Sequence, residues 1–314
     1  AKMNYVSDMS TIYTYIVDRT APIAPRFTVP INTVYTNDTT PTINGRSEPH
    51  TNVTVYSSDP VGSTSTQIGS LAIGSDNRFS IASSPLPEGT FVIHASAVDS
   101  ANNSSNDSST PLSFVIDTTA PIAPSLSSST GTYITPFVTL SGNTGESGIS
   151  HIELIATTHT SSIISLGSIY LNGAQSFQNT LSYQFSEGTY SIKARNVDLS
   201  GNAGNYSAPI SVTFDFTPPP TPNITSPQTA VVTRNNQPVF TGTAPNSTRV
   251  NLYQIQGFNY QFLGHIMSTS SGNWAIPPIN ELVHGQHYIV ARTEDAYGNE
   301  SDNSTQVIVN IDTE

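Results

Sequence analysis

IDTTAPIAP, residues 116–124, is one of four related segments that recur along the chain at nearly equal intervals. VDRTAPIAP begins at Val17, FDFTPPPTP begins at Phe214, and the chain closes on IDTE. The aspartates of these segments are separated by 117 − 18 = 99, 215 − 117 = 98 and 312 − 215 = 97 residues, at Asp18, Asp117, Asp215 and Asp312. A period of this length predicts three repeats, each the size of one domain.

A second motif keeps the same period and predicts a long strand late in each repeat. EGTFVIHASAVDSANN, EGTYSIKARNVDLSGN and HGQHYIVARTEDAYGN align without gaps at residues 88–103, 187–202 and 284–299. Apolar side chains alternate along each copy, as in a strand with one face in a core. With Gly- and Pro-rich turns elsewhere, we count about seven short strands per repeat and no convincing helix. The pattern predicts an all-β fold, a tandem array of three immunoglobulin-like β-sandwich domains.

The linker aspartates set the expected domain boundaries. Immunoglobulin-like domains are predicted at residues 18–116, 117–214 and 215–314. Residues 1–17 resemble the C-terminal strand of a preceding immunoglobulin-like domain, so we expect the chain to be part of a longer array. Proline-rich linkers hold extended backbone and cannot continue a helix. We therefore expect a rod of domains placed end to end.

Composition argues against several classes of protein. The net charge of −12 disfavours nucleic acid and anionic membranes as partners. No run of about 20 apolar residues is present for a membrane span. The absence of cysteine favours a bacterial surface protein or an intracellular one over a disulfide-bonded eukaryotic array. No catalytic arrangement of Ser, His and Asp recurs, so we expect a protein that is not an enzyme. We also expect a monomer.

The repeated phrases resemble the bacterial Ig-like repeats of giant surface adhesins exported by type I secretion. The resemblance rests on DTTAPIAP, NDTTPTINGRSEP at residues 37–49, EGTFVIHASAVDSANN and SGNW at residues 271–274, and it covers the whole chain. It implies secretion to the bacterial cell surface, contact with a host-cell receptor, and calcium bound near the domain junctions.

Acidic residues also predict where calcium would bind. In an immunoglobulin-type sandwich, two loops and the incoming linker meet at one end. Converging carboxylates without a Lys or Arg repel one another, and Ca²⁺ with six to eight oxygen ligands removes that penalty. The predicted ligands are Asp18, Glu48 and Asp99 in the first repeat; Asp117, Glu146 and Asp198 in the second, approached by Glu88 and Asp38; and Asp215 and Asp295 in the third. Pro245 stands in the place of Glu48 in the third repeat, which predicts a weaker site or none there.

Other interpretations stay open at this point. Aspartates at strand ends often only hydrogen-bond nearby backbone as turn residues. A lectin-like module that binds a glycan receptor could use the acidic turn of the second repeat or the aromatic run YQIQGFNYQF, residues 253–262. A third possibility is a set of accessory immunoglobulin-like domains from a secreted glycan-degrading enzyme.

Overall fold

The computed structural model describes residues 14–28, 33–62, 64–108, 110–128, 131–228 and 230–314. These residues form an all-β structure without a helix, in which each repeat contributes eight strands. Nothing helical in this part of the chain has the length and apolarity of a membrane span. Residues 14–17 are exposed and lie in no strand, while the rest of the predicted N-terminal strand remnant falls outside the described residues.

In every repeat the first two strands are short, with two to four residues, and the seventh is the longest, with ten or eleven. The first repeat contains β1 (Arg26–Phe27), β2 (Val34–Thr36), β3 (Thr42–Arg46), β4 (Asn52–Ser58), β5 (Ser65–Ala72), β6 (Arg78–Ala82), β7 (Gly89–Val98) and β8 (Leu112–Ile116). The second contains β9 (Ser125–Ser128), β10 (Thr132–Tyr133), β11 (Thr139–Asn143), β12 (Ile149–Thr158), β13 (Ile163–Tyr170), β14 (Ser176–Thr180), β15 (Gly188–Asp198) and β16 (Ile210–Phe214). The third contains β17 (Asn223–Ser226), β18 (Val231–Thr233), β19 (Phe240–Thr243), β20 (Arg249–Gln256), β21 (Asn259–Met267), β22 (Asn273–Ile276), β23 (Gly285–Glu294) and β24 (Val307–Ile311).

Each repeat has one three-stranded and one five-stranded sheet. The orders are β1-β3-β6 and β2-β8-β7-β4-β5, then β14-β11-β9 and β10-β16-β15-β12-β13, then β17-β19-β22 and β18-β24-β23-β20-β21. The short second strand of each repeat runs parallel to the last strand, whereas the first strand pairs antiparallel in the smaller sheet. The first strand expected from the sequence is thus split between two sheets. Its pieces are too short for alternation to reveal them, which explains eight strands rather than seven.

The long strand after each Glu-Gly or His-Gly pair supplies the core, as its alternation predicts. Ile93, Ile192 and Ile289 are each 0 % exposed, and the alanines two residues later are equally buried. His287 fills an aromatic position of the third core, with its Nε2 2.7 Å from the carbonyl oxygen of Val283. The immunoglobulin-like fold class is therefore confirmed.

Contacts divide the chain into two compact units. One consists of Ala1–Ala123, Glu146–Ile152 and Arg195–Asn205, and the other of Pro124–Gly145, Glu153–Ala194 and Tyr206–Glu314. The first unit holds the whole first repeat together with those loops of the second repeat that contact residues 117–123. The second unit holds the third repeat, its linker and the remaining strands of the second. Each unit thus contains one complete linker between repeats.

Candidate functional site

An aspartate and an asparagine in the loop before the last strand hold the linker of the first repeat. Oδ1 of Asp99 accepts the backbone N–H groups of Ala101 and Asn103 at 2.8 and 2.9 Å. Oδ2 accepts the side-chain amide of Asn103 at 2.9 Å, and the same amide donates to the carbonyl oxygen of Asp18 at 3.3 Å. We call this arrangement of carboxylate, amide and linker carbonyl the Asp–Asn latch.

The same latch recurs in the other two repeats. In the second, Asp198 accepts the backbone and side-chain N–H groups of Asn202 at 2.8 and 2.9 Å. The amide of Asn202 then donates to the carbonyl oxygen of Asp117 at 2.8 Å. The third repeat has the corresponding set of Asp295, Asn299 and Asp215. Three of the predicted ligands are therefore the acceptors that orient these asparagines.

The linker aspartates use their carboxylates within their own turns. In each, Oδ1 accepts the backbone N–H group two residues later, at 2.9 Å for Asp18, 3.0 Å for Asp117 and 3.3 Å for Asp215. This is the hydrogen bond of an Asx-turn, which fixes the direction of the backbone after the aspartate. The asparagine of the latch therefore donates to the carbonyl oxygen of each linker aspartate, while the carboxylate of the same aspartate stabilises the turn.

A glutamate from the preceding repeat holds the next residues of the linker. Oε1 of Glu88 accepts the N–H of Thr118 at 3.0 Å, the hydroxyl of Thr118 at 2.5 Å and the hydroxyl of Thr119 at 2.8 Å. These donors hold the pKa of Glu88 below its usual value, because they favour the charged carboxylate. The structure therefore places Glu88 beside the linker that begins at Asp117, as the sequence predicted.

Glu187 makes the equivalent contact and was missed by the sequence analysis. Its Oε1 accepts the hydroxyl of Thr217 at 2.5 Å and the N–H of Phe216 at 3.0 Å, which lowers its pKa. The signal was present, because Glu187 occupies the same place in its Glu-Gly-Thr motif as Glu88. His284 stands at this place in the third repeat, with Nδ1 3.4 Å from the N–H of Thr313.

The loop between β11 and β12, together with β15, completes the hold on the linker in the second repeat. Glu146 accepts the N–H of Ile122 at 2.7 Å, and Asn196 donates to the carbonyl oxygen of Ile122 at 2.9 Å. The third repeat has Pro245 in place of this glutamate and holds its linker through a 2.6 Å bond from Thr293 to the carbonyl oxygen of Pro220.

Two predicted ligands remain, Asp38 and Glu48. Asp38 accepts the N–H and the hydroxyl of Thr40, at 2.8 and 3.0 Å, within its own turn. Glu48 lines a surface cavity next to Arg46 and Pro49.

The oxygen atoms around the linker can be compared with the ligands that calcium prefers. The side chains around residues 117–122 offer oxygen, the ligand atom that calcium prefers. However, Glu88, Glu146, Asp117 and Asp198 each accept hydrogen bonds from the linker or from their own loop. Among the described residues, no group of three or more His, Asp or Glu side chains is placed to hold a metal ion. As placed, these carboxylates accept hydrogen bonds from backbone and side-chain donors, which a bound ion would have to replace.

Acid is expected to weaken the glutamate contacts. A carboxylate whose pKa is lowered by folding contributes its full stabilisation at pH values above the pKa of the unfolded chain, which is near 4.5 for Glu88 and Glu187. This stabilisation disappears as the pH falls through the lower pKa of the folded state. Thermal unfolding followed from pH 6 to pH 3 should therefore show a fall in midpoint that is smaller in the variant E88Q/E187Q. A variant with the same pH profile as the unmodified chain would contradict this role for the two glutamates.

Comparison with protein families matches residues 31–118 and 225–313 to the bacterial Ig-like domain, and these stretches make up more than half of the chain. No curated protein matches it.

Solved structures of tandem β-domains are similar to the chain. The tetra-tandem repeat in the extending region of a large adhesion protein is 20 % identical, with a TM-score of 0.28 over 93 % of this chain and 75 % of that one. The fibronectin(III)-like modules of Clostridium thermocellum CbhA are 17 % identical, with a TM-score of 0.41 over 60 % of this chain and 94 % of that one. The BSP domain of a biofilm-associated protein is 13 % identical, with a TM-score of 0.24 over 94 % and 67 % of the two chains.

Proposed function

Because the chain belongs to the family of bacterial Ig-like domains, we propose that it is a rod-like segment of a secreted bacterial surface adhesin that mediates contact with host cells. The observation that carries this proposal is the hold on the linker from both sides. Glu88 of the first repeat bonds to Thr118, and Asn202 of the second repeat bonds to Asp117. A linker that is hydrogen-bonded to both neighbouring domains restricts the angle between them. Such a restriction suits a spacer that projects other parts of a protein.

The role we propose is structural rather than catalytic. The polar side chains that recur with the repeat bind backbone groups of the linkers, and each repeat buries its own apolar core. The partners of each domain in this arrangement are its neighbours in the same chain. Contact with a host-cell receptor, by a monomeric chain at the bacterial surface, belongs to the same proposal.

Small-angle scattering tests the rod. Three immunoglobulin-sized domains placed end to end predict a particle about 120 Å long, at roughly 40 Å for each domain of about 100 residues. A compact particle in the presence of calcium would contradict the proposed spacer.

Calcium at the linkers is the second part of the proposal. Carboxylates from two repeats approach the same linker in a chain of net charge −12, so a divalent cation would relieve repulsion there. To bind it, Glu88 and Glu146 would exchange their present hydrogen bonds for the ion.

Calcium is accordingly expected to raise the thermal midpoint of unfolding and a chelator to lower it. Binding to the folded state alone stabilises it by about 2.7 kcal/mol at a hundredfold excess over Kd. Calorimetry in millimolar calcium, in magnesium and in chelator measures the effect, with magnesium giving the smaller rise because it demands stricter geometry. Identical melting under all three conditions would refute calcium binding.

A lectin-like module is the second candidate, and the third repeat carries the observation that favours it. Phe258 and Tyr260 are 102 % and 44 % exposed, and the guanidinium of Arg292 lies 4.4 Å from the centre of the Tyr260 ring. Asn303 fixes this ring by donating to its hydroxyl at 2.9 Å. An exposed, fixed aromatic ring is a surface on which a sugar can stack. A glycan array probed with the full chain and with Y260A tests this candidate, since a spacer alone binds no glycan.

A further inference from the structure

Three arginines stand side by side on the three-stranded sheet of the first repeat. Arg26 lies opposite Arg46 in the pairing of β1 with β3, and Arg46 lies opposite Arg78 in the pairing of β3 with β6. All three are exposed, and they account for three of the ten Lys and Arg residues in a chain of net charge −12. We call them the arginine row. Adjacent strands are about 4.8 Å apart, so the row is about 10 Å long.

The row is held rigidly from the inner side of the sheet. The neighbouring residues in the same register are Phe27, Gly45 and Phe79, which face the core because side chains alternate along a strand. Phe79 is 3 % exposed and meets Phe27 edge to face at 6.3 Å between ring centres. A Cβ atom at Gly45 would lie 2.6 Å from Cε1 of Phe79, so the ring occupies the space that the glycine leaves. The Cα atoms of the three arginines therefore have fixed positions, and their side chains start from the outer face.

The row carries an unfavourable arrangement of charge. Like charges directly opposite each other destabilise a pair of strands. Arg249 and Arg292 form salt bridges with Glu294 and Glu300, whereas no carboxylate pairs with the row within the described part of the chain. An anion bound across the row would relieve this repulsion.

The sandwich itself does not require these arginines. The same three register positions are polar and uncharged in the other repeats: Ser125, Asn143 and Ser176 in the second, and Asn223, Thr243 and Asn273 in the third. The buried glycine and aromatic ring next to them are nevertheless retained, as Gly142 with Phe177 and Gly242 with Trp274. The row is thus an addition to the common fold.

A cavity of about 580 Å³ opens beside the row. Its wall includes Arg26 and Arg46 together with the apolar residues Ile23, Ala24 and Pro49. Glu48 supplies the one carboxylate among the described lining residues, so the arginines leave the wall with a net positive charge. An apolar wall beside cations suits a sugar ring, which presents C–H groups on its faces and carries its charged substituents at the edge.

We propose that the arginine row and its cavity bind a sulfated glycan. The planar guanidinium groups would take the sulfate oxygens in paired hydrogen bonds, as arginine does with other oxyanions, and the cavity would hold a sugar ring. A nucleic acid is the weaker fit, because a long polyanion would meet an otherwise acidic chain. This inference names a ligand class for the proposed surface contact and in that sense rests on it. Binding by the purified chain is nevertheless independent of linker stiffness and of calcium.

Titration of the full 314-residue chain with a heparin-derived hexasaccharide tests the site. The variant R26S/R46N/R78S carries the side chains of the second repeat and should lose affinity by at least about tenfold, because three charge-assisted contacts disappear. The matched control R234N removes one exposed cation from the third repeat and should change affinity by less than about twofold, since remote surface charges are screened. R46N alone should give an intermediate loss. Because the substitutions remove repulsion, the thermal midpoint without ligand should stay the same or rise, which shows that the variants are folded.

Four results would overturn the proposal. The triple variant could bind the hexasaccharide as tightly as the unmodified chain, or R234N could lose as much affinity as R46N. Inorganic sulfate at the same sulfate concentration could bind equally well, which would indicate a site for free anions only. A DNA oligonucleotide of equal charge could displace the hexasaccharide completely, which would indicate a general attraction to polyanions. The expected result is that a desulfated hexasaccharide and inorganic sulfate both fail to compete.

Discussion

Replacement of Asp198 by Ala is expected to lower the free energy of unfolding by at least about 3 kcal/mol, because two hydrogen bonds to a charged group, each worth about 1.5–3 kcal/mol, are lost. Asp198 is 8 % exposed, and its two carboxylate oxygens accept both N–H groups of Asn202. Without the carboxylate, the amide of Asn202 loses the acceptor that aims it at the carbonyl oxygen of Asp117. Denaturant unfolding at neutral pH measures the loss.

Two matched variants separate the latch from a general effect of charge. Asp107→Ala removes an exposed carboxylate from the corresponding region of the first repeat and should change stability by less than about 0.5 kcal/mol. Asn202→Ala keeps the carboxylate and removes the amide with its two hydrogen bonds, so the expected loss is about 2–4 kcal/mol. If Asp198→Ala is no more destabilising than Asp107→Ala, the loop aspartate is an ordinary turn residue and the latch contributes nothing.

Much of the fold could be predicted from the sequence because the same pattern of strands and turns occurs three times along the chain. The period-two pattern that places Ile93, Ile192 and Ile289 at matching positions identified the buried face of the long strand. The split first strand was not predictable, because a piece such as Arg26–Phe27 is too short to show a period. Only the partner strands decide to which sheet such a piece belongs.

The position of the candidate site was predictable from the sequence, whereas its hydrogen bonds were not. The sequence identified the aspartates that recur beside the linkers, and the structure places Asp117, Glu88, Glu146 and Asp198 around one linker. The asparagine four residues after each loop aspartate recurs just as regularly, yet its part in holding the linker was not predicted. A sequence records which oxygens are present, whereas only geometry shows whether they face N–H donors or a cation.

The arginine row lay beyond sequence reasoning for a different reason. Arg26, Arg46 and Arg78 are separated by 46 − 26 = 20 and 78 − 46 = 32 residues, so no local pattern links them. Their alignment depends on the register of three strands, which a one-residue slip would destroy.

Calcium stiffening and hydrogen-bonded turns make opposite predictions for Asp117→Ser. The backbone N–H of Asp117 donates to the carbonyl oxygen of Thr36, and its carbonyl oxygen accepts from Asn202, so both contacts survive the substitution. A serine hydroxyl can also accept the N–H of Thr119 in the turn. In chelator, we therefore expect the variant to match the unmodified chain and to lose about 1 kcal/mol of stability or less. In calcium, the loss of a bridging carboxylate should widen the range of bending between the first and second repeats.

Distances between spin labels measure this bending directly. The chain has no cysteine, so cysteines placed at the exposed positions Thr66 and Gln178 carry the only labels. Asp215→Ser, with a label pair across its own linker, is the matched control, because Pro245 replaces the glutamate there and calcium should matter less. The expected result is a broader distance distribution for Asp117→Ser in calcium alone. If the distribution equals that of the unmodified chain in both calcium and chelator, Asp117 acts only as a turn residue and calcium does not stiffen the linker through it.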